Sequence, residues 1–506
     1  MRQAYRIIPI YTADVSGVCS ALYELGGMTV MHDPSGCNST YNTHDEIRWY
    51  DEDSLIFISG LTEIDAIMGN DEKFIHDIEE AASELKPRFI ALASSPIPYM
   101  NGTDFPAIAE VTEQDTGIPT FAVPTNGMHD YVHGAGMALE AIAEHFVLPK
   151  SHAEDVSNKN TEEKGRNRLV NLLGVTPLDF GPLDHAKTMK HSLEQYGWRI
   201  NSMWAMGDSL DQLSKSADAA VNVVVSSVGL RAAKVLQRKF GTPYVVGAPV
   251  GCFTEKLSEA MEAAVSSAKG FAASEIEKNA QTRHLSETEA AQEPADNVVY
   301  AACRKVSENL QDANKAEENT RHQAEITLIG EPVTMGSLAA AIELQYGRSV
   351  RVLCPLEETE GLLAPGDEAV CGEEMMEEKL KDAGIIAADP LYRPICPKDA
   401  QFYELPHIAF SGRIYLKKIK QMPGFERLNQ MMGIALGNDI CAIPYLLPNN
   451  QKNGGGICVN RGIERAEHLF RRIIKLEEAI CVVLQIIMLL ICFAAVVKRY
   501  FFNAPW

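Results

Sequence analysis

The chain lacks the short motifs that most often identify an enzyme. No CxxC pair, zinc-finger spacing, Walker A loop or GxSxG elbow occurs in its 506 residues, so no local motif assigns a catalytic chemistry. It also lacks an excess of basic residues. Forty-six Lys and Arg stand against 68 Asp and Glu, a net charge of −22, which argues against nucleic acid and anionic lipid as partners of the main body.

A secretory signal and a disulfide framework are absent as well. The chain begins MRQAYRIIPIYTAD, which is not a signal peptide, and its eleven cysteines do not follow the regular spacing of a secreted scaffold. We therefore expect a cytoplasmic protein, in which a cysteine is a buried apolar residue, a nucleophile or a metal ligand.

What is present is a repeated alternation of short apolar strands and amphipathic helices. Such alternation is typical of parallel sheets with helical crossovers, and the length calls for two to four domains. The sequence thus predicts an α/β protein with three Rossmann-like, doubly wound parallel-sheet domains around a central cleft. The predicted strands lie at 54–60, 88–95, 119–127, 169–177, 198–207, 219–229, 243–251, 324–332, 349–355 and 406–412.

Changes in composition set the expected domain boundaries. We expect a first domain at 1–150, a polar linker at 151–168, a second domain with a long helical region at 169–322, a third domain at 323–440 and a tail at 441–478.

The apolar run 479–497 contains one Gln and no charged residue and is long enough to span a bilayer. We predict a transmembrane helix there, with a buried core helix as the alternative. The segment resembles the first helix of the small membrane subunit of TRAP-type transporters. A fusion to a truncated neighbouring gene, or a frameshift, explains the segment better than an evolved anchor does.

Two cysteines flank a short motif near the amino terminus. The sequence predicts a helix from about Val18 to Leu25, a strand MTVMH, and a turn before Cys37. Helix and strand lengths place Cys19 and Cys37 near one another, and a position in the first helical turn favours the Cys19 thiolate. From spacing alone, a metal site and two buried cysteines are equally supported.

The ordered motifs around these cysteines resemble the nitrogenase component 1 family, which includes molybdenum–iron protein subunits, cofactor-assembly scaffolds and dark-operative protochlorophyllide reductase subunits. The resemblance covers about residues 5–440. Its motifs include GVCSALYELGGMTVMHDPSGC, GLTEIDAIMGNDEKFIHDI, FIALASSPIPYMNGTD, VNLLGVTPLDFG and ITLIGEPVTMGSLAAAIELQYG.

The resemblance implies a cluster site. Cys19 and Cys37 match the first two of three cysteines that bind an interface iron–sulfur cluster, either 4Fe–4S or a P-cluster-like centre. At the third position the chain has Ser94, Ser95 or Pro96 and no cysteine nearby, and we take Ser95 as a candidate ligand. Ser226 and Ser227 occupy the place of the cofactor-binding cysteine of catalytic subunits. A complete P-cluster and a cysteine-anchored iron–molybdenum cofactor are therefore not expected.

Other polar residues have simpler interpretations. His32 and His44 flank Cys37 and are expected to be loop histidines rather than ligands. Asp104 is expected to cap a helix, and His407 is expected to have a packing role. Glu63 and Asp65 are expected to be turn or helix-cap residues. Cys252, Cys354, Cys371 and Cys396 are not expected to form a common metal site.

The resemblance implies an oxidoreductase subunit that binds or shares an iron–sulfur cluster. It would pair with a second component 1-like subunit or with its own copy, and accept electrons from an iron-protein-like ATPase reductase. A non-catalytic scaffold for metallocofactor assembly and a cluster-free binding protein remain alternatives.

Overall fold

The computed structural model describes residues 6–34, 46–49, 52–150, 168–279, 297–304 and 325–416. Three parallel β-sheets follow one another along these residues, flanked by helices. The predicted α/β fold class is therefore confirmed. The central strands, such as Met28–His32, Ile90–Ser94 and Val221–Val224, are fully buried, because helices cover both faces of a parallel sheet.

The first sheet has the strand order β2-β1-β3-β4. Its strands are β1 (Met28–His32), β2 (Leu55–Ile58), β3 (Ile90–Ser94) and β4 (Thr120–Val123). Its helices are α1 (Asp14–Leu22), α2 (Glu63–Met68), α3 (Asp71–Leu85), α4 (Pro96–Asn101), α5 (Phe105–Thr116) and α6 (Tyr131–His145). Helices α1 and α6 pack on one face, and α3 and α5 on the other.

The second sheet has the order β6-β5-β7-β8. Its strands are β5 (Leu169–Leu173), β6 (Arg199–Met203), β7 (Val221–Val224) and β8 (Tyr244–Val246). The helices that follow are α7 (Pro177–Phe180), α8 (Leu183–Glu194), α9 (Leu210–Leu213), α10 (Leu230–Phe240), α11 (Phe253–Asn279) and α12 (Val299–Arg304).

The third sheet has the order β11-β10-β9-β12-β13. Its strands are β9 (Ile326–Ile329), β10 (Val350–Cys354), β11 (Glu368–Ala369), β12 (Ile385–Ala388) and β13 (Gln401–Glu404), and its helices are α13 (Pro332–Tyr346), α14 (Glu373–Leu380) and α15 (Ile408–Ser411).

The strand predicted at 406–412 is wrong. The strand in this region is β13, and the apolar run after it forms the short helix α15. The Asp389 carboxylate accepts hydrogen bonds from the His407 N–H at 2.7 Å and from the Ser411 hydroxyl at 2.8 Å. These two bonds hold residues 407 and 411 against the same carboxylate, which favours a helical turn over an extended strand.

The predicted start of the first helix is also wrong. Helix α1 begins at Asp14 rather than at Val18, so Cys19 lies in its middle. The Asp14 carboxylate accepts the Val15 N–H at 2.7 Å, which supports the first turn. Gly17 lies inside this helix, and the position requires glycine because the helix packs directly against the α6 backbone. A Cβ there would come within 2.2 Å of the Tyr131 carbonyl oxygen.

Several expectations concern residues outside the described ranges: Cys37, His44, nearly all of the linker 151–168, the tail 441–478 and the apolar run 479–497. The predicted domain boundaries stay predictions. Among the described residues, no helix combines the length and apolar character needed to cross a membrane.

Candidate functional site

Cys19 is completely buried on the α1 and α6 face of the first sheet, at 0% exposure. Burial, together with the charge of Glu46, raises the pKa of the Cys19 thiol far above its ordinary value. Because Cys19 lies in the second turn of α1, the expected help from the helix dipole is absent. The thiol is therefore protonated when it is free, and a metal ion would have to displace that proton.

The start of α1 lies at the carboxyl edge of the first sheet. The Asp14 carboxylate accepts the N–H groups of Asn126 and Gly127, each at 2.9 Å, and these residues follow β4. Cys19 is five residues further along the helix, a rise of about 7.5 Å. Ser95 follows β3 at this same edge.

Ser95 is buried, and its hydroxyl has no hydrogen-bond partner among the described residues. It occupies the N-cap position of α4, yet its side chain makes no capping bond. The adjacent Ser94 hydroxyl, by contrast, donates to the Ser95 carbonyl at 3.1 Å. A buried hydroxyl without a partner costs about 1–3 kcal/mol. The Ser95 hydroxyl therefore fits a ligand position whose partner lies outside the described residues.

His32 lies on the opposite face of β1 from Cys19. It is the last residue of the strand, not a loop residue, and its ring stacks on Phe74 at a centroid distance of 4.0 Å. Burial lowers the pKa of His32 to about 4, so the imidazole is neutral at pH 7. His32 therefore belongs to a different environment from Cys19.

Within the described residues, no group of three or more His, Cys, Asp or Glu side chains is arranged to hold a metal ion. The ligand set Cys19, Cys37 and Ser95 stays a prediction, because Cys37 lies outside the described residues.

The remaining candidates have structural roles. The Asp104 carboxylate caps α5 through the Ala107 N–H at 3.1 Å, as expected, and Asp65 completes a capping box with Thr62. Hydrogen bonds from Thr62, Asn70 and Lys73 lower the pKa of Asp65 far below its ordinary value. The Cys252 thiol donates to the Ala341 carbonyl at 3.5 Å, which agrees with packing.

A second cluster of buried polar residues joins the three sheets, and Asp179 is at its centre. The Asp179 side chain is 0% exposed. It accepts hydrogen bonds from the Tyr131 phenol at the start of α6 and, at 2.6 Å, from the Ser226 hydroxyl that follows β7. Burial and the nearby Asp179 charge raise the pKa of Tyr131 well above its ordinary value. Ser226 is thus committed to a carboxylate of its own chain.

Glu331 brings the third sheet to this junction. Its fully buried carboxylate accepts the Ser227 N–H at 2.8 Å and the Thr334 N–H at 2.7 Å. Burial and the charge of Asp179 raise the pKa of Glu331. No lysine or arginine bonds to either carboxylate among the described residues, so backbone amides and hydroxyls carry their stabilisation.

His407 lies at the edge of the junction. Its Nε2 lies 3.4 Å from an Asp179 carboxylate oxygen, and its ring stacks on Phe410 at 4.3 Å. Neither ring nitrogen has a hydrogen-bond partner among the described residues, so packing of the ring accounts for its place. Sequence reasoning missed Tyr131, Asp179 and Glu331. Asp179 and Glu331 lie in the motifs VNLLGVTPLDFG and ITLIGEPVTMG, but only the packing of three sheets brings the three residues together.

The chain is thus an α/β protein with three parallel sheets. Residues of all three sheets share one hydrophobic core. The chain belongs to the nitrogenase component 1 type oxidoreductase family, because the model of that family matches residues 17–301, more than half of the chain.

The relatives agree with this assignment. A light-independent protochlorophyllide reductase protein of Angiopteris evecta is 27% identical over 187 residues, 36% of each chain. Nitrogenase iron-molybdenum cofactor biosynthesis protein NifE of Clostridium pasteurianum is 25% identical over 249 residues, 46% of this chain and 51% of the relative. The matched regions thus span about a third to a half of the length of these relatives.

The fold is shared with a solved structure, nitrogenase Cp1 at pH 6.5. It matches with a TM-score of 0.53 at 15% identity, over 86% of this chain and 94% of the other. The likeness extends beyond the family-matched region and supports the three-sheet fold.

Proposed function

We propose that this chain is an oxidoreductase subunit that binds or shares an iron–sulfur cluster. It accepts electrons from an iron-protein-like ATP-dependent reductase and reduces an unidentified substrate in the cleft between its sheets. The observation that carries the proposal is the unpartnered, buried Ser95 hydroxyl at the edge of the first sheet, in a member of the nitrogenase component 1 type oxidoreductase family.

Cys19, Cys37 and Ser95 are the residues that would hold the cluster, and a partner chain would complete the ligand set. When bound, the cluster supplies one-electron transfer. The contribution of this chain is burial. Cys19 is packed among apolar residues of the first sheet, including Met31 and Ala93, and this environment excludes water and sets the local dielectric.

An exposed apolar surface, here called the α2–α4 surface, supports docking of the reductase. It consists of Ile64, Ile67, Met68, Tyr99 and Met100, which are 54–82% exposed. Helix α4 starts directly after Ser95, so Tyr99 is only about 6 Å further along the helix axis. A reductase that covers this surface would approach the proposed cluster closely, and apolar patches of this kind mark protein interfaces.

Anaerobic purification with the partner subunit tests the proposal. We expect brown protein that contains iron and sulfide in comparable amounts and gives an electron paramagnetic resonance signal on reduction. A colourless, iron-free complex would contradict the proposal and favour a cluster-free binding protein.

Cysteine variants test the ligand assignment. We expect Cys19→Ser and Cys37→Ser to lose most of the bound iron, since both remove a thiolate ligand. Cys371→Ser is the matched control, because Cys371 is exposed on the third sheet and is expected to keep the wild-type iron content. Circular dichroism checks that each variant is folded; wild-type iron in folded Cys19→Ser would refute the assignment.

A scaffold for cofactor assembly is the second candidate. The similarity to a cofactor biosynthesis protein favours it, and so does the junction, where Ser226 bonds to Asp179 rather than remaining open. The two candidates differ in one measurement. A scaffold transfers its cluster to an apo-protein without turnover of a substrate, whereas a reductase subunit keeps the cluster while the substrate is consumed.

A further inference from the structure

A cavity of about 420 Å³ opens at the carboxyl ends of β1 and β2. His32 and Ser59 form its floor, and the turns after α2 and α4 form its rim. The cavity lies on the α3 and α5 face of the first sheet, whereas Cys19 lies on the other face. Its size suits a small organic ligand, and its lining contains neither Cys19 nor Ser95.

His32 presents an unused polar atom to this cavity. The residue is buried, at 8% exposure, and its Nδ1 lies 2.8 Å from the Ser59 hydroxyl oxygen. That oxygen accepts the Asp33 N–H at 3.1 Å. Among the described residues, Nδ1 is the acceptor within reach of the Ser59 hydroxyl proton, and we assign the bond in that direction. The neutral ring then carries its own proton on Nε2. No described residue accepts this proton.

The charge of the lining determines which ligands it can take. Four carboxylates line the cavity with one ammonium group: Asp65, Asp71, Asp77 and Asp104 with Lys73. Lys73 is engaged with Asp65 at 3.2 Å. Asp71 and Asp77 have no ion-pair or hydrogen-bond partner among the described residues, and both are exposed at the rim. Such a lining attracts cations and repels phosphates and carboxylates.

We propose that this cavity binds a small primary amine that also carries a carbonyl or hydroxyl oxygen. The oxygen accepts the His32 Nε2–H, the ammonium group is attracted by the rim carboxylates Asp71 and Asp77, and an apolar substituent packs against Leu61 and Met68 at the wall. This site contains none of the proposed cluster ligands, although it shares Ile67 and Met68 with the α2–α4 surface.

L-Leucinamide is a suitable probe, because it joins an ammonium group, a carbonyl oxygen and an apolar side chain. Calorimetric titration of the full chain is expected to show saturable binding. Two analogues each lack one feature: N-acetyl-L-leucinamide has no charge, and 3-methylbutylamine has no acceptor oxygen. We expect both to bind about tenfold more weakly, since each loses one charge-assisted or neutral hydrogen bond.

Variants assign the binding to this cavity. His32→Phe keeps the stack on Phe74 and removes the N–H, and Asp71→Asn with Asp77→Asn removes the charges at the rim. Each is expected to weaken leucinamide binding about tenfold. Glu84→Gln, an exposed position of α3 outside the lining, is the matched control and is expected to bind as the wild type does.

Absence of saturable leucinamide binding, or equal affinity in the wild type and the double Asp variant, would overturn the proposal. The double Asp variant decides the matter even if His32→Phe fails to fold, because Asp71 and Asp77 are surface residues with no side-chain hydrogen bond or ion pair to any described residue. Loss of iron from any of these variants is not expected, and iron analysis keeps this test separate from that of the cluster.

Discussion

Ser94 and Ser95 are adjacent buried serines with different hydrogen bonding, and this difference gives a test of the Ser95 site. Ser95→Ala removes a hydroxyl without a partner among the described residues, so in metal-free protein the free energy of unfolding is expected to rise by about 1 kcal/mol. Ser94→Ala removes a bonded hydroxyl and is expected to lower it by about 1 kcal/mol. Urea unfolding measures both. Equal destabilisation would show that Ser95 has a hydrogen-bond partner in solution.

Single residues were predictable from the sequence where a motif marks them and not otherwise. Cys19 and Ser95 could be nominated by their places in ordered motifs, and Asp104 by its position before a helix. Asp179 and His407 are 228 positions apart in the sequence, and their proximity depends on how three sheets pack. The raised pKa of Cys19 was missed for a related reason, because it comes from burial in a core built by several elements and from the charge of Glu46.

The contact between α1 and α6 depends on glycine at the point of closest approach. Gly17→Ala would gain up to about 1 kcal/mol of helix propensity. Its Cβ would, however, lie 2.2 Å from the Tyr131 carbonyl oxygen, a backbone atom that cannot move aside. Overpacking of this kind costs about 1–3 kcal/mol, so we expect a net loss of stability on thermal unfolding. Gly384→Ala is the control, because no atom lies within 4 Å of its Cβ among the described residues; equal midpoints for the two variants would contradict this.

Elements were predictable to the extent that local pattern determines them. Buried parallel strands read as continuous apolar runs, and most of the predicted strands were found with shorter bounds. The run 406–412 is equally apolar but forms α15, because periodicity cannot separate a buried strand from a short buried helix. Helix α1 was predicted to start too late, since a glycine reads as a helix breaker although Gly17 allows a close helix contact.

At the scale of the whole molecule, the three sheets also meet at a charged surface cluster. His129 Nδ1 lies 2.8 Å from a Glu357 carboxylate oxygen, and His133 Nδ1 lies 2.6 Å from Glu358. Arg231 of the second sheet donates to Glu358 at 2.6 Å. This cluster ties α6, α10 and the loop after β10 together. The sequence could not reveal it, because its charged residues lie in three separate blocks.

This cluster makes stability depend on pH. The hydrogen bond to Glu357 raises the pKa of His129 above 6.5, against a smaller effect of burial, and Asp14 and Asp130 add to the rise. Because the folded-state pKa is raised, the contribution of His129 is complete below pH 6.5 and is lost as the pH rises through that higher value. Both partners are more than a third exposed, so solvent screening limits it to about 0.5 kcal/mol. Glu357→Gln is therefore expected to destabilise the protein towards urea at pH 5.5 and to match the wild type at pH 8.5.

The control is Glu360→Gln, an exposed neighbour, which should follow the wild type at both pH values. If Glu357→Gln instead lost the same free energy of unfolding at every pH, the histidine would not be the titrating group.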